Sequence, residues 1–91
     1  MATKTFKAGE VAYGGLIKVT ISGEKIRVQF LDWNTKKTII EKSFSTKDSR
    51  SDILFFIEDN STYYWGCHIV EWLDTKVNDK REFVMSYPLT W

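Results

Sequence analysis

Residues 60–77 read Asn-Ser-Thr-Tyr-Tyr-Trp-Gly-Cys-His-Ile-Val-Glu-Trp-Leu-Asp-Thr-Lys-Val, and the choice between helix and strand for them decides the fold class. As a strand, Tyr63, Trp65, Cys67, Ile69, Glu71 and Leu73 would share one face, and Tyr64, Gly66, His68, Val70, Trp72 and Asp74 the other. The first face is mostly apolar, but the second is far from polar, so the alternation expected of a half-buried strand is missing. As a helix, Trp65, Ile69, Trp72, Leu73 and Val77 fall at i, i+4, i+7, i+8 and i+12, an amphipathic stripe. Ser61 offers an N-cap. The run is also longer than a typical strand. Gly66 costs the helix about 1 kcal/mol relative to Ala, which does not outweigh the stripe. The helix is the preferred reading.

The preceding segment supports a helical region. Ser49-Arg-Ser-Asp52 matches a capping box, with Asp in place of the usual Glu or Gln. A short helix through about Asp59 should follow, with Ile53, Phe56 and Ile57 inward.

Upstream the period changes to two. Leu16–Ser22 sets Ile17, Val19 and Ile21 against Lys18, Thr20 and Ser22, and Lys25–Phe30 sets Ile26, Val28 and Phe30 against Arg27 and Gln29. The intervening Ser22-Gly23-Glu24-Lys25 suits a two-residue type II′ turn, with Gly at the first central position. That turn pairs Ile21 with Ile26, Val19 with Val28 and Ile17 with Phe30, and leaves both faces consistent. Asn34-Thr35-Lys36-Lys37 is the next turn, leading to a strand at Thr38–Phe44. One register pairs Phe30 with Ile40 and Ile26 with Phe44 but opposes Val28 and Lys42. A longer loop opposes Phe30 and Glu41. The register stays open. Thr5–Tyr13 is expected to be an edge strand, with Gly14-Gly15 a tight turn or a bulge. Phe83–Trp91 should form a final strand, its terminal Trp91 docked on the sheet or on a neighbouring subunit.

The expected architecture is therefore α+β over a single domain, 1–91. It comprises an antiparallel meander of three to five strands (about 5–44), two short helices packed on one face (about 50–77) and a C-terminal strand (about 82–91). The 43% hydrophobic and 15% aromatic content suffices for a folded core. Phe30, Phe44, Phe55, Phe56 and some of the Trp residues should supply it.

Composition excludes several functions. The one Cys, Cys67, rules out an intrachain disulfide and fits a reducing compartment. No stretch approaches the roughly 20 apolar residues of a membrane span, and Met1–Glu10 has no signal-peptide character. A cytoplasmic protein without membrane contact is expected. Cys67 and the single His, His68, are adjacent, about 100° apart on a helix, and so form no nucleophile–base pair. One Cys and one His also fall short of a zinc site. Glu58-Asp59 and Glu71/Asp74 read as solvated helix surface. The glycines form no phosphate loop. No catalytic residue, metal or cofactor is expected, and an enzyme is the least favoured reading.

Binding is the remaining class. Residues 1–50 carry ten Lys/Arg against five Asp/Glu, and residues 51–91 three against seven. Solvated surface explains most of this asymmetry, but it also admits an anionic partner. Arg27, Trp33, Lys36 and Lys37 on the meander are candidate contacts, as are Tyr63, Tyr64 and His68 at the start of the helix. Tryptophan, tyrosine and arginine are the usual energetic anchors of interfaces.

Thr5-Phe-Lys-Ala-Gly-Glu-Val-Ala-Tyr-Gly-Gly-Leu-Ile-Lys-Val and Leu31-Asp-Trp-Asn-Thr-Lys-Lys, with the later Ser61-Thr-Tyr-Tyr and Glu71-Trp, resemble short phage-borne accessory proteins. The resemblance covers about half the chain and carries no catalytic motif. It implies a small folded binder that blocks a host factor, and self-association. Two alternatives remain: capture of an anionic nucleotide in a basic pocket between subunits, and binding of single-stranded nucleic acid.

Overall fold

The computed structural model describes residues 2–76. These fall into two compact units, a sheet unit that ends at Ser45 and a helical unit that begins at Thr46. Together they make an α+β fold. The expected C-terminal strand, Val77 and Trp91 lie outside the described residues.

The sheet unit has four antiparallel strands in sequential order: β1 (Ala2–Lys7), β2 (Gly15–Ser22), β3 (Lys25–Asp32) and β4 (Thr38–Ser45). The β2–β3 hairpin has the register that its turn dictates, with Ile21 opposite Ile26, Val19 opposite Val28 and Ile17 opposite Phe30. Gly23 sits at φ +62°, and Glu24 stays out of the left-handed region. That is the type II′ pattern rather than type I′, which needs both central residues at positive φ. Ile17, Val19, Ile26, Val28 and Phe30 are fully buried.

Between β3 and β4 the register is the one that opposes Val28 and Lys42, with Phe30 opposite Ile40 and Ile26 opposite Phe44. A bulge follows, because Leu31 pairs with Thr38 and Ile39 is left over. The Val28–Lys42 pairing that made this register look unclean in the sequence is therefore real, and the extra residue lies beyond it, at Ile39.

The first strand needs correction. β1 begins at Ala2 and stops at Lys7, whereas an edge strand was expected over Thr5–Tyr13. Gly9 takes φ +66°, and Ala12 N–H donates to the Gly9 carbonyl (3.1 Å), closing a 3-10 turn over Gly9–Val11. A hydrogen-bonded turn there cannot also pair with β2.

In the helical unit, α1 spans Arg50–Asn60 and α2 Tyr63–Lys76. Ser49 caps α1, but its hydroxyl accepts from Ser51 N–H (3.1 Å), while Asp52 N–H donates to the Ser49 carbonyl (3.1 Å). Asp52 still favours the positive end of the helix. Ser61 does not cap α2, as the sequence suggested. It closes α1, donating from its hydroxyl to the Ile57 carbonyl (2.6 Å) and from its N–H to Glu58 (3.2 Å). Thr62 opens α2, accepting Trp65 N–H on its hydroxyl (3.2 Å) and Gly66 N–H on its carbonyl (3.0 Å). Two adjacent residues thus end one helix and begin the next, giving an αα-hairpin.

The buried seam of α2 is Gly66, Ile69, Val70 and Leu73, one residue row away from the predicted stripe, and Trp65 and Trp72 are only half-buried. Gly66 explains the rotation. A Cβ there would lie 3.2 Å from both the side chain and the backbone carbonyl of Leu54, so α1 approaches α2 at this glycine. On α1, Ile53, Leu54 and Ile57 are fully buried, whereas Phe56 is half-buried and Phe55 is 53% exposed. Phe55 was expected in the core but lies on the other side of α1. The open end of the hairpin is tied by Arg50, which donates from Nη2 to Asp74 Oδ2.

Candidate functional site

The sheet unit carries its exposed apolar residues at the end where β2 begins and β3 runs into β4. Asp32 organises the β3–β4 loop. Its Oδ1 accepts the N–H groups of Asn34 (2.8 Å) and Thr35 (2.9 Å). These two bonds favour the ionised carboxyl and hold it below its usual range. A lowered value means that this support is complete at neutral pH and is lost as pH falls through it. The Asp32 carbonyl accepts Lys36 N–H (2.8 Å), with Lys36 at φ +64° completing a four-residue loop.

That loop presents Trp33, which is 47% exposed. Its N–H donates to the Gly14 carbonyl (2.8 Å). The Lys36 ammonium donates to the Trp33 carbonyl (2.6 Å) and lies 5.4 Å from the indole centre. Opposite, Ala8 N–H donates to Gly15 (3.0 Å) and Gly15 N–H to Ala12 (2.9 Å). Gly14, at φ +82°, has no room for a side chain, since a Cβ would sit 2.4 Å from the Leu31 carbonyl oxygen and 2.6 Å from Ile39 Cδ1.

Between these loops lies a cleft of about 540 Å³ lined by Gly9, Glu10, Ala12, Gly14, Gly15 and Trp33. The size is that of a ligand- or side-chain-sized site. Val11, Tyr13 and Ile39 are exposed on the same two loops and the bulge beside them. A smaller depression of about 370 Å³, lined by Glu24, Lys25, Ser43, Phe44 and Ser45, lies at the other end of the sheet and offers no exposed aromatic.

The predicted meander residues divide. Trp33 and Lys36 come together. Lys37 neighbours them, its carbonyl accepting Asp32 N–H (2.9 Å) and its own N–H donating to the Thr35 hydroxyl (3.3 Å). Arg27 does not join them. It is exposed on the polar face, opposite Thr20 and Ser43. Six residues of strand separate it from Trp33, about 20 Å at the usual rise.

On α2, Tyr64 and His68 stack at 5.8 Å with rings 5° from parallel, and Trp65 meets both edge-on at 5.4 and 5.3 Å. Tyr63, Tyr64 and His68 are all exposed. They form a second aromatic surface, on the helical unit.

Sequence reading missed Gly9, Gly14, Gly15 and Tyr13 as site residues and took the glycines as turn geometry alone. The available signal was three glycines within seven residues, flanking an aromatic. Among the described residues no group of His, Cys, Asp and Glu could hold a metal ion, and no helix is long and apolar enough to cross a membrane. Comparison with protein-family models, curated proteins and solved structures returns no match.

Proposed function

We propose that the protein is a non-catalytic binding protein that captures a protein partner on the loop end of its sheet, with Trp33 as the anchor. The observation that carries this reading is a half-exposed indole on a hydrogen-bonded loop. The Trp33 backbone is tied to Gly14 and to the Lys36 ammonium, which reduces the loop ordering required on binding. Val11, Tyr13 and Ile39 extend the apolar surface around it. Such a cluster of aromatic and aliphatic side chains around a cleft is what a protein hot spot requires.

The resemblance to phage-borne accessory proteins supplies the partner's class, a host protein whose surface is blocked. The protein-partner reading is favoured over a nucleotide because, among the described residues, the cleft lining offers Glu10 and no cation. It is favoured over single-stranded nucleic acid because the polar face of the sheet carries no aromatic platform among its described residues, and stacking on such platforms is central to that mode. Trp33→Ala should leave the melting curve unchanged and abolish enrichment of the partner from a host lysate. Enrichment that persists in the folded variant would refute the reading.

A further inference from the structure

On the polar face of the sheet the cations fall on a line. Lys7 is opposite Leu16, Lys18 is opposite Thr5 and Gln29, and Arg27 is opposite Thr20 and Ser43. Each step of that series moves one strand across, from β1 to β2 to β3, and two residues along. Diagonal neighbours of this kind are about 7–8 Å apart. Lys25 continues the series on β3, two residues beyond Arg27, so the stripe is about 20 Å long. Lys7, Lys25 and Arg27 are exposed, and Lys18 is half-buried between its neighbours. Among the described residues none of the four makes an ion pair. The carboxylate that shares this face, Glu41, lies off the stripe on β4 and accepts the Gln29 amide (3.1 Å). Hydroxyls stand beside the stripe, with Thr5 next to Lys18 and with Thr20 and Ser43 on either side of Arg27.

We infer that this stripe is a docking track for one phosphate strand of duplex DNA, held without reading its sequence. A line of cations at this spacing, comparable with that of successive phosphates along a strand, matches a phosphodiester backbone in both charge and repeat. Arginine, lysine, serine and threonine are side chains that contact phosphate oxygens, and such contacts position a protein on the duplex without carrying sequence information. The rest of the face narrows the occupant. Its paired strand positions carry no aromatic among the described residues, so the splayed bases of a single strand would find no platform. Threonine and serine flank the stripe where a protein hot spot would place aromatic anchors. Duplex RNA is contacted across two successive minor grooves over about 16 base pairs, farther than the stripe reaches.

This inference is independent of protein capture at Trp33, whose cleft is lined by none of these cations. Fluorescence anisotropy of a labelled duplex of about 20 base pairs, titrated with the full chain, tests it. Affinity should fall between about 50 and 200 mM salt with a log–log slope of about −3, as expected for three or four phosphates. Duplexes of unrelated sequence should bind equally. Lys18→Gln and Arg27→Gln should each weaken binding and make the slope shallower by about 1. Lys76→Gln removes the same charge from the end of α2 and should leave the slope unchanged. Melting curves establish that each variant is folded. Absence of duplex binding at about 50 mM salt, or a slope that Lys18→Gln and Arg27→Gln do not alter, would overturn the inference. So would an equal effect of Lys76→Gln, or tighter binding of the single strand or of duplex RNA than of duplex DNA.

Discussion

A methyl group added to Gly14 would place a carbon 2.4 Å from the Leu31 carbonyl oxygen, on a residue already at φ +82°. Backbone strain of this kind costs about 1–3 kcal/mol, and overpacking adds about as much again. Gly9 provides the control, since it shares the left-handed conformation (φ +66°) but a Cβ there meets nothing within 4 Å. Gly14→Ala should therefore lower stability by about 3 kcal/mol or more, and Gly9→Ala by only about 1–2 kcal/mol. Denaturant titration of the two variants checks the difference. Gly14→Ala should also release Trp33, seen as a change in the chemical shift of its indole N–H. None of this was legible in the sequence beyond the need for a turn. The glycine pair announced a backbone conformation, but its close approach to Leu31 and Ile39 depends on a distant strand and its bulge.

The helical hairpin depends on one close approach and one ion pair. Gly66→Ala gains about 1 kcal/mol of helix propensity, but the new carbon would press on the Leu54 side chain and on its carbonyl oxygen, both at 3.2 Å. A side chain can turn aside, whereas a helical carbonyl cannot, so the substitution should destabilise by about 1 kcal/mol net. At the other end of the hairpin, burial pushes the Asp74 carboxyl up to about 6, against the pull of the Arg50 guanidinium. A raised carboxyl binds its proton more tightly in the folded state than in the unfolded one. Its contribution is then fully present below pH 4 and is lost as pH rises from about 4 to about 6. Asp74→Asn removes this dependence. The stability of the variant relative to the unaltered protein should therefore be lower at pH 4 than at pH 7. A relative stability that does not change with pH would contradict this assignment. At the scale of elements the sequence was most informative. The two-residue turn at Gly23 fixed one hairpin, and the 3.6-residue period of residues 63–76 identified α2. The caps were harder, because Ser61 and Thr62 are both good N-cap residues and only the length of α1 decides between them. The helical period set Phe56 inward with Ile53 and Ile57, but the burial of Leu54 in place of a phenylalanine depends on which face of α1 meets Gly66.

For the molecule as a whole, the α+β class and the antiparallel meander follow from the change of period between residues 45 and 60, which any reader of the chain can see. The site was legible only in part. Trp33, Lys36 and Lys37 are neighbours in sequence and remain so in space, but Arg27 is drawn away along β3. The glycine wall reaches Trp33 only because Gly15 pairs with Asp32. The account's central claim is that a protein partner is captured through Trp33 at this end of the sheet. The most direct test compares capture from host lysate by the unaltered protein, by Trp33→Ala and by Arg27→Ala, with all three matched for melting temperature. A hot-spot anchor is worth at least about 2 kcal/mol, or about thirtyfold in affinity. Capture should therefore collapse for Trp33→Ala and persist for Arg27→Ala, which removes an exposed side chain about 20 Å away. Equal capture by all three proteins, or loss with Arg27→Ala alone, would contradict the account.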